Sequence, residues 1–292
     1  MNVGLLYSGE IRDNGPGHYV RFALTQMNVE HGWYWPQSDY KDRKHDVWLV
    51  VDDGRDELEH VPPHPCGFWA VDTHLGWDVR LLKAQHFDVV WTAQKEAAAK
   101  FVQAGVNAKW LPLACSPPHH PTAVELAQET NETLAEKTYD LGFVGHLQDP
   151  SKSTRIAFLD QLRAAFPSMR FRFGAFFHDM AREYHACRIG VNHSIGADLF
   201  GLGDLNMRFF ELASLGVPQL CDSRMVGLEE LGFRPFEHFL PYESAGEAVD
   251  VARAFLHDSD LPTITENALQ TVRAQHSYRH RVETMLTDLE AL

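Results

Sequence analysis

The chain has 292 residues, 45% of them hydrophobic, with 40 acidic against 26 basic side chains and a formal net charge of −14. That length suits one large or two smaller domains with real cores, and the sign of the charge opposes non-specific attraction to nucleic acid or to an anionic membrane. No run approaches the ~18 consecutive apolar residues that a spanning helix needs.

The opening MNVGLLYS reads as a first strand rather than a signal peptide, because it has no basic n-region and its apolar run is short. Cys66, Cys115, Cys187 and Cys221 show no CxxC spacing, which fits a reduced, cytoplasmic protein with buried thiols. The 17 histidines are scattered, mostly as surface residues, and neither His119-His120 nor His276 and His280 has a cysteine cluster beside it. No metal centre and no bound cofactor is expected.

Short apolar runs at Val3–Tyr7, Val47–Val51, Gly67–Val71, Val89–Thr92 and Lys109–Leu113 predict strands, with a helix over Ala93–Ala104 that Gly105 ends. Apolar runs that do not alternate with polar residues point to a parallel sheet covered on both faces. After the first strand, Gly9, Gly15 and Gly17 make a glycine-rich loop and His18 opens a helix. Such a loop lets a ligand approach backbone and helix N–H groups, although the spacing is not GxGxxG. Asp72, Thr73 and His74 follow the strand that ends at Val71, at the sheet edge where α/β proteins place reactive groups. Asp72 is a candidate base or hydroxyl ligand there, and His74 a base or a phosphate partner; a turn-capping Asp72 is the plain alternative.

The segment SPPHHP, 116–121, denies helix and central strand alike and reads as a hinge. A polar helical stretch covers Thr122–Glu136. Strands are then expected at Tyr139–Val144, Met169–Phe173, Ile189–His193, Pro218–Cys221 and His238–Leu240, with helices over Thr154–Phe166, Met207–Leu215 and Ala245–His257. The strand ending at Val144 leads into Gly145-His146, and Ser153 or Thr154 is a natural N-cap for the helix beyond. Lys152 and Arg155 would meet a diphosphate beside that helix start, or would simply sit on a solvated face; the spacing is not that of a P-loop. Asn192, His193, Ser194, Asp198, Asp204 and Asn206, among the glycines Gly196, Gly201 and Gly203, lead into DLNMRFFELASLGVPQLCD, 204–222. That stretch puts Arg208 and Glu211 three apart on one helical face. A carboxylate suits a ribose diol and a guanidinium suits phosphate, while an ordinary surface ion pair is the plain alternative. The tail Ile264–Leu292 reads helical and is expected to cross back to the first domain. No GxSxG or Ser-His-Asp order supports hydrolase chemistry.

These pieces together resemble the CgeB-like, spore-maturation type of GT-B glycosyltransferase. The resemblance is carried by FDVVWTAQKEAAAKFVQAGVNAKWLPLACSPPHH (87–120), DLGFVGHL (140–147), 204–222 and AQHSYRHRVETML (274–286). It implies two doubly wound Rossmann-like α/β domains facing across a cleft. These would be an acceptor-side domain over 1–118, a donor-side domain over 119–270 and a returning helix over 271–292. It also implies that Glu211 binds the donor ribose, that Arg208 lies near the phosphates and that His146 lines the donor pocket. The chain departs from the family's Glu-x7-Glu pattern, since Gly203 stands eight before Glu211 and Asp204 is out of register.

The expected function is therefore metal-independent transfer of a sugar, with retention, from a nucleoside diphosphate sugar to a hydroxyl on a small molecule, glycan, protein or modified DNA base. Arg155, Asn206, Arg208 and Glu211 would bind the donor, Asp72 and His74 would act on the acceptor, and Gly15, Gly17 and His18 would line the acceptor side of the cleft. Rivals are a DNA-base glycosyltransferase using a basic path of Arg155, Arg163, Arg170 and Arg172, a non-catalytic nucleotide-sugar sensor, and a nucleotide-sugar epimerase.

Overall fold

A computed structural model describes residues 1–8, 15–52, 58, 60–134, 136–145, 153–194 and 203–292. The chain divides into two units, one of Met1–Leu113 with Tyr278–Leu292 and one of Ala114–Ser277. Each is built on a fully parallel sheet with helices between its strands, so the chain has the two Rossmann-like α/β units that were expected.

The first sheet contains β1 (Asn2–Leu6), β2 (Glu30–Tyr34), β3 (Val47–Asp52), β4 (Cys66–Ala70), β5 (Val89–Thr92) and β6 (Ala108–Trp110), in the spatial order β2-β1-β3-β4-β5-β6. β3 and β4 are buried along their whole length, as expected of strands covered on both faces. α1 (Pro16–Gln26), α2 (Trp77–Ala84) and α3 (Lys95–Gln103) connect the strands. β2 has no counterpart in the sequence reading. It is an edge strand of sequence EHGWY, half-exposed, and carries no apolar run.

The second sheet contains β7 (Tyr139–Val144), β8 (Arg170–Arg172), β9 (Cys187–Asn192), β10 (Gln219–Asp222) and β11 (Leu240–Tyr242), in the order β11-β10-β9-β7-β8. α4 (Ala123–Thr130), α5 (Ser153–Ala165), α6 (Phe177–His185), α7 (Met207–Ser214), α8 (Ala245–Phe255) and α9 (Leu261–Gln275) accompany it. α6 was also unexpected. It is polar overall and buries one face through Met180, Ala181, Tyr184 and His185. α4 is shorter than the predicted Thr122–Glu136, because Asn131 turns left-handed at φ 55° and ends it.

The helical tail is two helices, broken at His276-Ser277, and the second of them, α10 (Tyr278–Glu290), belongs to the first unit. Asp288 on α10 accepts from Trp91 Nε1 at 2.8 Å and from Lys109 Nζ at 2.7 Å, while Arg281 Nε donates to the Pro112 carbonyl at 2.7 Å. All four cysteines are free and buried. Several histidines leave the surface on which they were expected: His120, His185, His193, His238 and His276 are buried.

In each sheet the strand order reverses at one point, and the carboxyl ends on either side of such a reversal frame a natural ligand crevice. The reversal lies between β1 and β3 in the first unit, and between β7 and β9 in the second.

Candidate functional site

The second unit gathers most of the candidate residues around the carboxyl ends of β7 and β9. α7 carries Arg208 and Glu211, and burial of Phe209, Phe210 and Leu212 fixes how the helix lies. Each such side chain contributes about 1.5–3 kcal/mol of transfer free energy, so the helix face that presents Arg208 is set by packing. Asn206 caps α7, its side-chain oxygen accepting from the Phe209 N–H at 3.2 Å. Its amide also donates to Asn192 Oδ1 at 2.9 Å, which ties the helix start to the end of β9.

Glu211 is only 3% exposed, so the pair with Arg208 is not the surface ion pair that sequence alone allowed. Arg208 Nη1 lies 2.7 Å from Glu211 Oε2, and the Arg208 side chain retains 22% exposure. Burial pushes the Glu211 carboxyl above its usual range, and Arg208 opposes that rise. The other carboxylate oxygen, Oε1, faces His120 Nε2 at 3.5 Å. Burial, then His119, Arg208 and Arg273, hold the His120 ring well below its ordinary pKa, so the ring is neutral. The Ser116 N–H donates to His120 Nδ1 at 3.1 Å, which leaves the proton on Nε2, facing Glu211. The Arg208 guanidinium lies 5.5 Å from the centre of the Tyr184 ring. The Tyr184 hydroxyl in turn accepts the N–H of Val144, the last residue of β7, at 3.1 Å.

Arg155, in the first turn of α5, approaches the same strand end from the other face. Its Nη2 donates to the His193 carbonyl at 3.1 Å, and its guanidinium lies 5.5 Å from the centre of the Phe143 ring. Phe143 packs among the residues of α5 and α8, and Val144 among those of α6 and α7. Consecutive strand residues point to opposite faces, so the two arginines bracket the carboxyl end of β7 at the point where the strand order reverses. A stack of Phe158, His193 and Tyr242 continues the site under β9. The Phe158 and His193 rings are 4.4 Å apart, and the Tyr242 hydroxyl donates to the Asn192 carbonyl at 2.9 Å.

Gly203 has a steric reason. A Cβ there would lie 2.4 Å from the Arg224 carbonyl oxygen, and the Gly203 backbone bonds both to that oxygen and to the Val226 N–H. No side chain fits at 203, so the chain could not carry a glutamate at that position without moving the segment after β10. Asp222, the buried last residue of β10, pairs with Arg224 of that segment at 2.6 Å. His146, Lys152 and Asp198 lie outside the described residues, as do Gly9, Gly196 and Gly201.

In the first unit, Asp72 precedes a 3-10 turn at Thr73–Leu75 and makes no side-chain capping bond to it. The turn is held instead by Thr73, whose N–H and hydroxyl both donate to Gln94 Oε1, at 3.2 and 2.7 Å. Asp72 and His74 are half-buried beside the end of β4, one strand beyond the reversal point. At that point stands Asp52, paired with Arg80 at 3.1 Å with both side chains 5% exposed. Gly15 caps α1 through its backbone, and His18 is half-buried. Gly17 serves packing: its absent Cβ would fall 2.3 Å from Tyr7 Cγ.

His120, Tyr184, Tyr242 and the Asp52–Arg80 pair were missed by sequence reasoning. His120 lies inside the segment read purely as a hinge, 91 positions before Glu211, and Tyr184 sits on the unexpected α6. A pocket of about 730 Å³ in the second unit lies away from this site, among the amino ends of β9 and β10, with Arg188 and Pro218 in its lining.

Residues 154–287 match the model of a family described as glycosyl transferase-like. No curated protein matches the sequence. Among solved structures, the chain is similar to Anabaena HepE in complex with UDP and glucose, with 12% identity, a TM-score of 0.68 and full coverage of both chains. It is similar to sucrose-phosphate synthase from Thermosynechococcus elongatus, with 13% identity, a TM-score of 0.61 and 99% of each chain covered. It is also similar to the N-terminal domain of Candida albicans trehalose-6-phosphate phosphatase, with 7% identity, a TM-score of 0.65 and coverage of 99% of this chain and 96% of that one.

Proposed function

We propose that this protein is a CgeB-like glycosyltransferase that takes a sugar from a nucleoside diphosphate sugar and passes it to a hydroxyl acceptor. The observation that carries the reading is the pair of guanidiniums, Arg155 and Arg208, on the two faces of the β7 carboxyl end. A diphosphate at that edge meets positive charge from both sides. Arg208 is paired with Glu211 at 2.7 Å. Donor binding draws Arg208 to the phosphates and lets a ribose diol take its place on the carboxylate. The negative charge on the departing diphosphate falls on the two arginines, and the reading assigns it no metal. Asp72 and His74 orient and deprotonate the acceptor. Transfer with retention is the proposed outcome, with the sugar contact made by a residue other than 203. Anabaena HepE has been captured with UDP and glucose, so UDP-glucose heads the list of donors to try, with GDP- and dTDP-sugars after it.

The DNA-base reading gains nothing from the fold. Glu183, on the unexpected α6, pairs with Arg170 at 2.8 Å and lies 3.5 Å from Arg172, which occupies two of the four arginines of the supposed basic path.

The test is turnover. Without acceptor, the protein is expected to release free sugar slowly from its donor. Asp72→Asn should cut turnover by about 10²-fold or more and leave nucleotide affinity intact. A nucleotide sugar that binds but is neither hydrolysed nor transferred would make the protein a sensor.

A further inference from the structure

The first sheet has a second chemical feature, on the edge opposite Asp72 and His74. Cys66 opens β4, Asp88 immediately precedes β5, and His64 lies two residues before Cys66. Their ligand atoms, an imidazole nitrogen, a sulfur and a carboxylate oxygen, all lie within 4.8 Å of one another. The strand framework fixes two of them: Asp88 N–H donates to the Cys66 carbonyl at 3.0 Å, and Cys66 N–H donates to Asp88 Oδ2 at 2.8 Å. His64 Nδ1 lies 2.8 Å from the same carboxylate oxygen and 3.6 Å from Cys66 Sγ. The thiol already faces the other two groups, bonding the Asp88 carboxylate beside His64, while the His86 carbonyl is 4.0 Å away.

We propose that His64, Cys66 and Asp88 form a zinc-type divalent metal site that staples the loop before β4 to the start of β5. Tetrahedral zinc, with bonds of about 2.3 Å to sulfur and about 2.0 Å to nitrogen, separates an S and an N ligand by roughly 3.5 Å. The Cys66–His64 separation already meets that value. No pair is wider than 4.8 Å, so zinc's bond lengths need at most about 1.3 Å of closure, while the His64 Nδ1–Asp88 Oδ2 contact of 2.8 Å would open by about half an ångström. Thiolate, imidazole and carboxylate together suit zinc better than magnesium or calcium, which prefer oxygen. The His64 side chain is 63% exposed and that of Asp88 30%, so the ion enters from solvent and a water completes the fourth position. On binding, the thiol gives its proton to solvent and the metal takes its place. Without metal the three residues form a hydrogen-bonded bracket around Asp88, and that bracket is the arrangement zinc would replace. The five residues of β4, at about 3.3 Å each, keep the site more than 10 Å from the carboxyl edge of the sheet. Its role is therefore structural.

The full chain, stripped with chelator, is titrated with Zn²⁺ against a chromophoric competitor, and separately with Co²⁺ while thiolate-to-cobalt charge transfer is recorded. The site predicts one tight equivalent, a charge-transfer band, and a loss of at least tenfold in affinity in both Cys66→Ser and His64→Ala. His64 is exposed, so its replacement leaves folding intact even where the buried Cys66 variant does not. Absence of the band in wild type, or zinc affinity unchanged in His64→Ala, overturns the proposal.

Discussion

Both sheets carry a buried carboxylate paired with an arginine near their carboxyl edge, and the two pairs are built in opposite senses. In the first unit, Asp52 ends a strand and Arg80 reaches it from α2, and both side chains are sealed at 5% exposure. In the second, the carboxylate of Glu211 is sealed while Arg208 stays 22% exposed over the Tyr184 ring. A sealed pair neutralises itself and contributes only to the fold. A pair with one exposed cation holds that cation ready for an external anion. Asp222 and Arg224, at 0% and 35% exposure, have the same form in the second unit, so exposure does not choose between the cations; the proposed nucleotide site takes Arg208 because it and Arg155 flank the end of β7.

The largest expected effect tests the sealed pair. Arg80→Leu leaves Asp52 buried without its counter-ion and should cost about 3–5 kcal/mol in urea unfolding. UDP affinity of the folded protein should not change. If it fell as far as it does when Arg208 is altered, the contrast between the two edges would be lost.

Acid comes next. Burial, as the largest cause, lowers His185 to about 4, and the Pro121 carbonyl that accepts from its ring only partly offsets this. The folded pKa is below the unfolded value near 6.5, so the neutral ring is the native one. Its stabilisation is complete above pH 6.5 and is lost as the pH falls from there toward 4. At pH 5, His185 alone should cost about 2 kcal/mol, and His120, shifted in the same direction, adds to it. Denaturation curves at pH 7 and pH 5 with a probe in each unit should show the second unit weakening first; equal loss in both would assign the acid sensitivity elsewhere.

Glu211→Ala should weaken UDP binding by about 1–3 kcal/mol through the lost ribose contact. Unchanged affinity in a folded variant would reduce Glu211 to a positioning residue for Arg208.

Much of the second unit could be read in the sequence because its chemistry is local. Arg208, Glu211 and their cap Asn206 lie within six residues of one another, and helical spacing alone puts the first two on one face. β7 and β5 matched their predicted bounds because apolar runs bounded by polar turns are themselves local signals. What stayed illegible depends on tertiary contacts. EHGWY is a strand because β1 offers it an edge, and FHDMAREYH is a helix because β7 and β9 receive its one apolar face. His120 partners Glu211 only after the chain has crossed most of the second unit. Gly203, which looked like a missing acid, is a place where another stretch of backbone approaches too closely for any side chain.

The central claim, that Arg208 at the β7 edge holds the diphosphate of a nucleotide sugar, is tested most directly by calorimetric titration of UDP into the wild-type chain and into Arg208→Lys. One UDP per chain is expected, with an affinity at least tenfold weaker in the variant, because lysine keeps the charge but loses the planar fork, a difference of about 1.4 kcal/mol or more. A folded wild-type protein that binds no UDP, or a lysine variant that binds it equally well, would contradict the account.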